Sequence, residues 1–346
     1  MKKNFLDSYI SSVCIHCVGN KIADDRIRYS LLPTKINENI KGVLTTYFIN
    51  AFIFDEYFQL YHDSDLNLNE VYTYVSKIFD NPDSLYMQSV NLAMHLYNQS
   101  THPQIKGGEF YTVYFKDCIL DGDTIDAVGL FKSENKDTFL KVLNNDGNFN
   151  LESEKGINIK KLDKGCLIFN KEKEKGYVVA VVDNTNKGVE AQYWIDDFLH
   201  VRSRKDEYSN TQNIMALAKN FVTKELPKEY EVSKTEQINL LNKSLDFFKG
   251  KENFDLNDFA NEVIAQPEVI KKFQQFKKDY EEANDIAIDD QFAISDAARK
   301  KQQRSYKRVI HLDKKIQIIV DGNSDHIEQG KDAKGKFYKV YYNEED

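Results

Sequence analysis

Two adjoining stretches near the end of the chain concentrate opposite charge. Residues 279–296 hold Asp279, Glu281, Glu282, Asp285, Asp289, Asp290 and Asp296, and no Lys or Arg. Residues 299–315 hold Arg299, Lys300, Lys301, Arg304, Lys307, Arg308, Lys314 and Lys315 against Asp313 alone, so the formal charge swings from −7 to +7. Cations at this density suit phosphate. Each contact releases condensed counterions and gives affinity without sequence choice. Gln302, Gln303, Ser305 and Tyr306 add hydrogen-bonding groups and a ring that can stack. If Ser295 caps a helix, Lys300, Arg304, Lys307 and Arg308 lie near one face of it. The same pattern also describes a solvated helix whose basic face is neutralised by the acidic stretch before it. A smaller cluster, Arg202, Arg204 and Lys205 near His200, reads as a polar linker.

Two other constellations have the residue types of a catalytic or metal site. Cys14-Ile15-His16-Cys17 has the spacing of half a zinc knuckle or of a redox pair. Structural zinc takes four ligands, and Cys118 and Cys166 are far apart in sequence, each in an expected strand. A redox pair belongs at a helix start, where the thiolate is stabilised. Here Val13, Ile15 and Val18 surround the cysteines, so a strand is expected. Alternation puts Val13, Ile15 and Cys17 on one face and Cys14, His16 and Val18 on the other. Buried structural cysteine is the better reading. Asp126, Glu134 and Lys136 form a loose version of the Asp then Glu-x-Lys pattern that holds a nuclease cation and activates water. Glu134 falls just past the apolar run, where a solvated turn is expected. There is no nucleophile elbow, P-loop or dinucleotide fingerprint, and the seven histidines show no ligand spacing. No cofactor is expected.

The elements that must position these residues are legible from periodicity and turn chemistry. The first hundred residues read mostly as helices after an initial strand. A helix carrying Leu85, Val90, Leu92, Met94 and Leu96 ends before Thr101-His102-Pro103 and Gly107-Gly108. His95 inside it is expected to be hydrogen-bonded and partly buried. Phe110–Phe115, Thr124–Phe131, Thr138–Leu143, Cys166–Phe169 and Tyr177–Val182 have strand composition, bounded by polar turns. Short links between consecutive strands point to an antiparallel meander rather than βαβ units. After Trp194 the chain turns helical. Ile214, Leu217, Ala218, Phe221 and Val222 share one face. Ser233 and Glu236 form a capping box, Asp255 caps a short helix and Pro267 opens another. Val309–Leu312, Ile316–Val320 and Lys336–Tyr342 read as closing strands. The expected class is α+β. An α+β domain with an antiparallel meander spans 1–205 and a helical region spans 206–298. The basic segment with a small β unit spans 299–346.

Length and composition bound the function. The chain has 346 residues, 41% apolar and 29% charged, with only 15 glycines and five prolines. That is a globular balance with material for two or three units, not a fibrous or disordered chain. Four cysteines suit a reducing compartment better than a disulfide scaffold. Asp7 interrupts any apolar run after Met1-Lys2-Lys3, and no stretch is long enough to cross a bilayer, so neither signal peptide nor membrane association is expected. The net charge of −8 excludes a uniformly basic nucleic-acid coat and leaves a segregated patch as the route to phosphate.

Several stretches resemble a known family. Tyr111–Asp117, Val128–Lys132, Gly176–Asp183 and Tyr193-Trp194-Ile195-Asp196-Asp197-Phe198-Leu199 are similar to the 37-kDa nucleoid-associated bacterial proteins, often called NdpA-like. The order acidic stretch, Phe292, short polar helix, then Val309-Ile310-His311-Leu312-Asp313 fits as well, so the resemblance covers nearly the whole chain. It implies a cytoplasmic bacterial protein found with the nucleoid and associated with DNA and, in some members, with type II topoisomerase subunits. It brings no cofactor or catalytic set. The expectation is a non-enzymatic binder of double-stranded DNA, with Arg299, Lys300, Lys301, Arg304, Lys307 and Arg308 on phosphates and Lys314 and Lys315 extending the patch. An aromatic-rich sheet face would pair two copies as a homodimer. The alternatives are an adaptor that docks a topoisomerase subunit through residues 279–296, and a metal-dependent nuclease.

Overall fold

Strands of this chain are apolar on both faces. Lys164–Phe169 is buried throughout, and its neighbour Asp123–Ser133 is buried from Ala127 onward. Such strands need cover on two sides, and the computed structural model supplies it. The structure describes residues 5, 8–120, 122–185, 193–284, 286–306, 309–312, 315–320, 326–342 and 344. The chain divides into two compact units, Met1–Arg204 and Lys205–Asp346.

The first unit begins with β1 (Tyr9–Val18), α1 (Glu38–Ile49), β2 (Phe58–Leu60), α2 (Glu70–Asp80) and α3 (Leu85–Gln99). It continues with β3 (Gly108–Leu120), β4 (Asp123–Ser133), β5 (Asp137–Asn145) and β6 (Asn148–Gly156). It closes with β7 (Lys164–Phe169), β8 (Val178–Asp183) and β9 (Val201–Ser203). Seven strands form one antiparallel sheet in the order β1-β3-β4-β7-β8-β2-β9. One face packs on α2 and α3: Cys166 and Ile168 meet Val75, Ile78, Leu92 and Leu96 in a single cluster with Trp194. The alternate residues Leu167 and Phe169 join Tyr47, Phe48 and Phe52 of α1 and its exit on the other face. Phe48 stacks on Phe131 with ring centroids 4.0 Å apart, which fixes α1 over the sheet.

The architecture is α+β with an antiparallel sheet, as the sequence predicts. The run Thr138–Leu143 is a strand but lies outside the main sheet. It belongs to β5, which pairs only with β6 in a separate hairpin. The polar sequence of β6 carries no strand signal, so composition alone places the run in the meander. His16 and Cys14 of β1 face α3, and Val13 and Ile15 face the α1 side, as alternation requires.

The second unit contains α4 (Glu207–Asn220), α5 (Leu226–Glu229), α6 (Lys234–Gly250), β10 (Asn253–Asp255) and α7 (Leu256–Phe259). These are followed by α8 (Pro267–Asn284), β11 (Gln291–Ala293), α9 (Asp296–Gln303), β12 (Val309–Leu312) and β13 (Ile316–Ile319). A last hairpin is formed by β14 (Ile327–Asp332) and β15 (Gly335–Val340). Local chemistry starts the helices where expected. Ser233 and Glu236 exchange capping-box hydrogen bonds at α6, Asp255 caps α7 and Pro267 opens α8. An aromatic cluster of Phe221, Phe248, Phe254, Phe259 and Phe273 holds the helices together. Residues 299–346 cluster within this unit, where Ile238 of α6 shares a small core with Ile310 and Val320.

Candidate nucleic-acid interface

The basic stretch opens on α9, and α9 is fixed at both ends to α4. Ser295 caps it, its side chain accepting from the Ala298 amide, while the Ser295 amide donates to Thr211 Oγ1 at 3.0 Å. Beyond the helix, the buried Tyr306 hydroxyl donates to the Met215 carbonyl at 2.7 Å, and burial pushes its phenol pKa up. Ala298 is fully buried. Tyr306 is therefore an anchor, not the stacking ring that its composition suggests.

With that face buried, the remaining side chains are sorted by position. Lys300, Lys301 and Arg304 are exposed. Lys301 sits over the Tyr208 ring, 5.6 Å from its centroid. Arg299 is turned aside: its Nε and Nη2 donate to one oxygen of Asp296 at 3.1 and 2.8 Å, and its side chain is only 14% exposed. The hydrogen bonds and charge of Arg299 hold the Asp296 carboxyl below the usual carboxylate range. Lys315 is exposed at the turn that joins β12 to β13, its amide donating to Leu312 O at 3.1 Å. Lys307, Arg308 and Lys314 lie outside the described residues.

The acidic stretch is engaged largely within its own neighbourhood. Glu281 accepts from Lys277 and from the Ile288 amide. Asp290 pairs with Lys277 at 3.1 Å, and Asp289 accepts from the Asn210 side-chain amide at 2.9 Å. Asp296 is the member that faces Arg299 and Lys300. Asp285 lies outside the described residues.

The nuclease trio is not assembled. Asp126 and Glu134 stand eight residues apart, near opposite ends of β4, and strand rise puts roughly 25 Å between them. Asp126 accepts from Tyr114 and Lys116, and Lys136 pairs with Glu109. Glu134 is not on a solvated turn; it is buried against Lys132 and Tyr193. Cys14 is buried and free, and Cys17 is half-buried and free. Among the described residues, no group of three or more His, Cys, Asp or Glu is placed to hold a metal ion. Arg202 lies on β9, its guanidinium over the Tyr61 ring, and Arg204 pairs with Glu172, so these two belong to the sheet edge and not to a linker.

A family model described as nucleoid-associated protein YejK matches residues 14–344. The chain belongs to this family. A comparison with curated proteins found no match. Membership accounts for the resemblance in β3, β4, β8 and the Trp194 segment, and it makes the chain a nucleoid-associated protein. Among the described residues, no helix is long and apolar enough to cross a membrane.

Sequence reading misses a charged network inside the first unit of this family member. Lys132, fully buried at the end of β4, donates to Glu134 at 3.0 Å, to Tyr193 OH at 2.9 Å and to the Lys106 carbonyl at 2.7 Å. Tyr193 OH donates in turn to Glu134 at 2.7 Å. Burial lowers the Lys132 pKa, against the opposing pull of Glu134, and raises that of Tyr193. Lys164, also buried, is held by both oxygens of Asp183 and by Thr185. Asp163 accepts from the Glu134 and Asn135 amides at 2.6 and 2.9 Å. The only sequence signal is a Lys at one end of each of two apolar strands.

Proposed function

We propose that the protein binds duplex DNA directly, without catalysis and with little sequence preference. Lys300 and Lys301 of α9, and Arg304 at its C-terminal cap, would lie on phosphates, extended by Lys307, Arg308, Lys314 and Lys315. Arg299 takes a local part, neutralising Asp296. The observation that carries the reading is the anchoring of α9: one face is held to α4 while Lys300, Lys301 and, just past the helix end, Arg304 stay exposed. Such a rigid row of cations suits phosphate contact, which positions the protein and carries no base information. Membership of a nucleoid-associated family supports the choice of DNA as ligand.

The adaptor reading needs residues 279–296 as an open docking surface. Glu281 is turned onto Lys277 and the Ile288 amide, while Asp279, Glu282, Asp289 and Asp290 stay exposed, so a topoisomerase subunit is kept as the second reading and direct contact is put first on the anchoring of α9 alone. The test is anisotropy of a labelled duplex with wild type and with the Lys300→Glu, Arg304→Glu, Lys307→Glu, Arg308→Glu variant. Salt-sensitive binding that disappears in the variant supports the proposal. Equal binding by both proteins contradicts it.

A further inference from the structure

The fold of the first unit gathers cations that no stretch of sequence displays together. Two open recesses of about 520 and 510 Å³ adjoin at one end of the sheet and share Lys106, Glu134 and Asn135. Arg26 and Arg28 line one wall, Lys136 and Lys155 stand at the foot of the β5–β6 hairpin, and Lys160 and Lys161 follow it. With Lys106 these are seven cations, and all are exposed.

The carboxylates along the same furrow are mostly spent. Glu134 is neutralised from beneath by buried Lys132, Asp163 is occupied by backbone amides, and Glu109 is held by Lys136 at 2.6 Å through one oxygen, the other being buried without a hydrogen-bond partner among the described residues; Lys161 pairs with Asp137 at 3.8 Å. Asp25 remains as a counter-charge on one wall. Among the described residues, Arg26, Arg28, Lys155 and Lys160 have no carboxylate partner, and Lys106 donates to the neutral Asn135 side chain. In a chain of net charge −8, this is a local reversal of sign, and the buried network beneath it preserves that reversal.

We propose that this furrow is a second nucleic-acid surface that tracks the phosphate backbone of DNA. The inference rests on the DNA-binding reading above and adds a contact site in the other unit. The shape favours a polymer over a small molecule. Two joined, open, polar recesses with cations along both are unlike the enclosed, mainly apolar pocket that a small ligand takes. Tyr193, the ring in the lining, is buried and bonded to Glu134, so bases gain no stacking platform and the contact is to the backbone.

The test uses the full chain with Arg26→Gln, Arg28→Gln, Lys155→Gln and Lys160→Gln combined, which removes four charges and no ion pair. Unchanged Trp194 fluorescence checks the fold. Duplex affinity is measured across a salt series beside the α9 charge-reversal variant. Removing one phosphate-neutralising cation flattens the slope of log affinity against log salt by about 0.9. The furrow variant is expected to flatten it by about 2 to 4, additively with the α9 changes. A furrow variant identical to wild type, with the α9 variant weakened, overturns the furrow and leaves the α9 reading standing. The reverse pattern supports the furrow and removes α9. Absence of DNA binding by wild type overturns both. Displacement of DNA by inorganic pyrophosphate at matched ionic strength would assign the furrow to a small phosphate ligand and overturn the proposal. So would furrow-dependent retention on phosphatidylserine vesicles without any effect on DNA.

Discussion

Replacing Lys132 by Met should destabilise the first unit sharply while leaving its packing volume nearly intact. Lys132 has no exposed surface, and its partner Glu134 has a side chain only 5% exposed. The ammonium satisfies three acceptors: Glu134, Tyr193 and the Lys106 carbonyl. Its removal leaves a buried carboxylate with a phenol as its remaining side-chain partner, and breaking such a pair costs about 3–5 kcal/mol. For a unit of this size, each kcal/mol moves the midpoint by about 2–4 °C, so a fall on the order of 10 °C is expected. The assay is selective because the chain's single tryptophan, Trp194, is buried in this unit and donates to Gly165 O. Its fluorescence follows the first unit alone. The double variant Lys132→Met, Glu134→Gln removes both charges and should regain more than half of the stability. A single variant within about 1 kcal/mol of wild type, or a double variant no better than the sum of its parts, would refute the buried-network reasoning.

Two further outcomes follow from local geometry. His16 Nδ1 accepts from the Ser30 amide and Nε2 meets Ser89 Oγ, which itself donates to Tyr86 O, so the folded ring is the neutral Nε2–H form. Burial lowers its pKa below the ordinary 6.5. The unfolded chain therefore takes up the proton first, and the stability His16 contributes is complete above about 6.5 and lost as pH falls through the window below it. Wild type should lose more stability between pH 7 and 5 than His16→Gln, and parallel curves would refute this. Gly176 has φ +94°, and a Cβ there would run into the Leu60 carbonyl. Gly176→Ala should cost about 2 kcal/mol or more in the Trp194-monitored transition, and an unshifted midpoint would show that β2 yields freely.

What the sequence makes legible is chemistry that acts over a few residues. The Ser233–Glu236 box, the Asp255 cap and Pro267 at the start of α8 are local bonds, so spacing alone reveals them. The burial of Cys14 and His16 on one face of β1 follows from strand alternation. Partners distant in sequence are not legible. Thr138–Leu143 has the composition of a central strand, but its mate is the polar Asn148–Gly156, and no composition names a partner. The three-residue strands β2 and β9 are too short to show a period. At the candidate interface, the charge of α9 can be read, but its sorting cannot. Asp296 takes Arg299, and Tyr306 turns inward to Met215. The furrow cations enter from residues 26–28, 106, 136, 155 and 160–161, and only the fold brings them together.

The most direct test of the central claim is the affinity of purified wild-type protein for duplex DNA, without any partner, as a function of salt. Four or more phosphates neutralised would give log affinity falling against log salt with a slope of about −4 or steeper, for unrelated duplex sequences alike. A flat response, or no binding at low salt, would contradict direct phosphate contact and pass the nucleoid association to a protein partner.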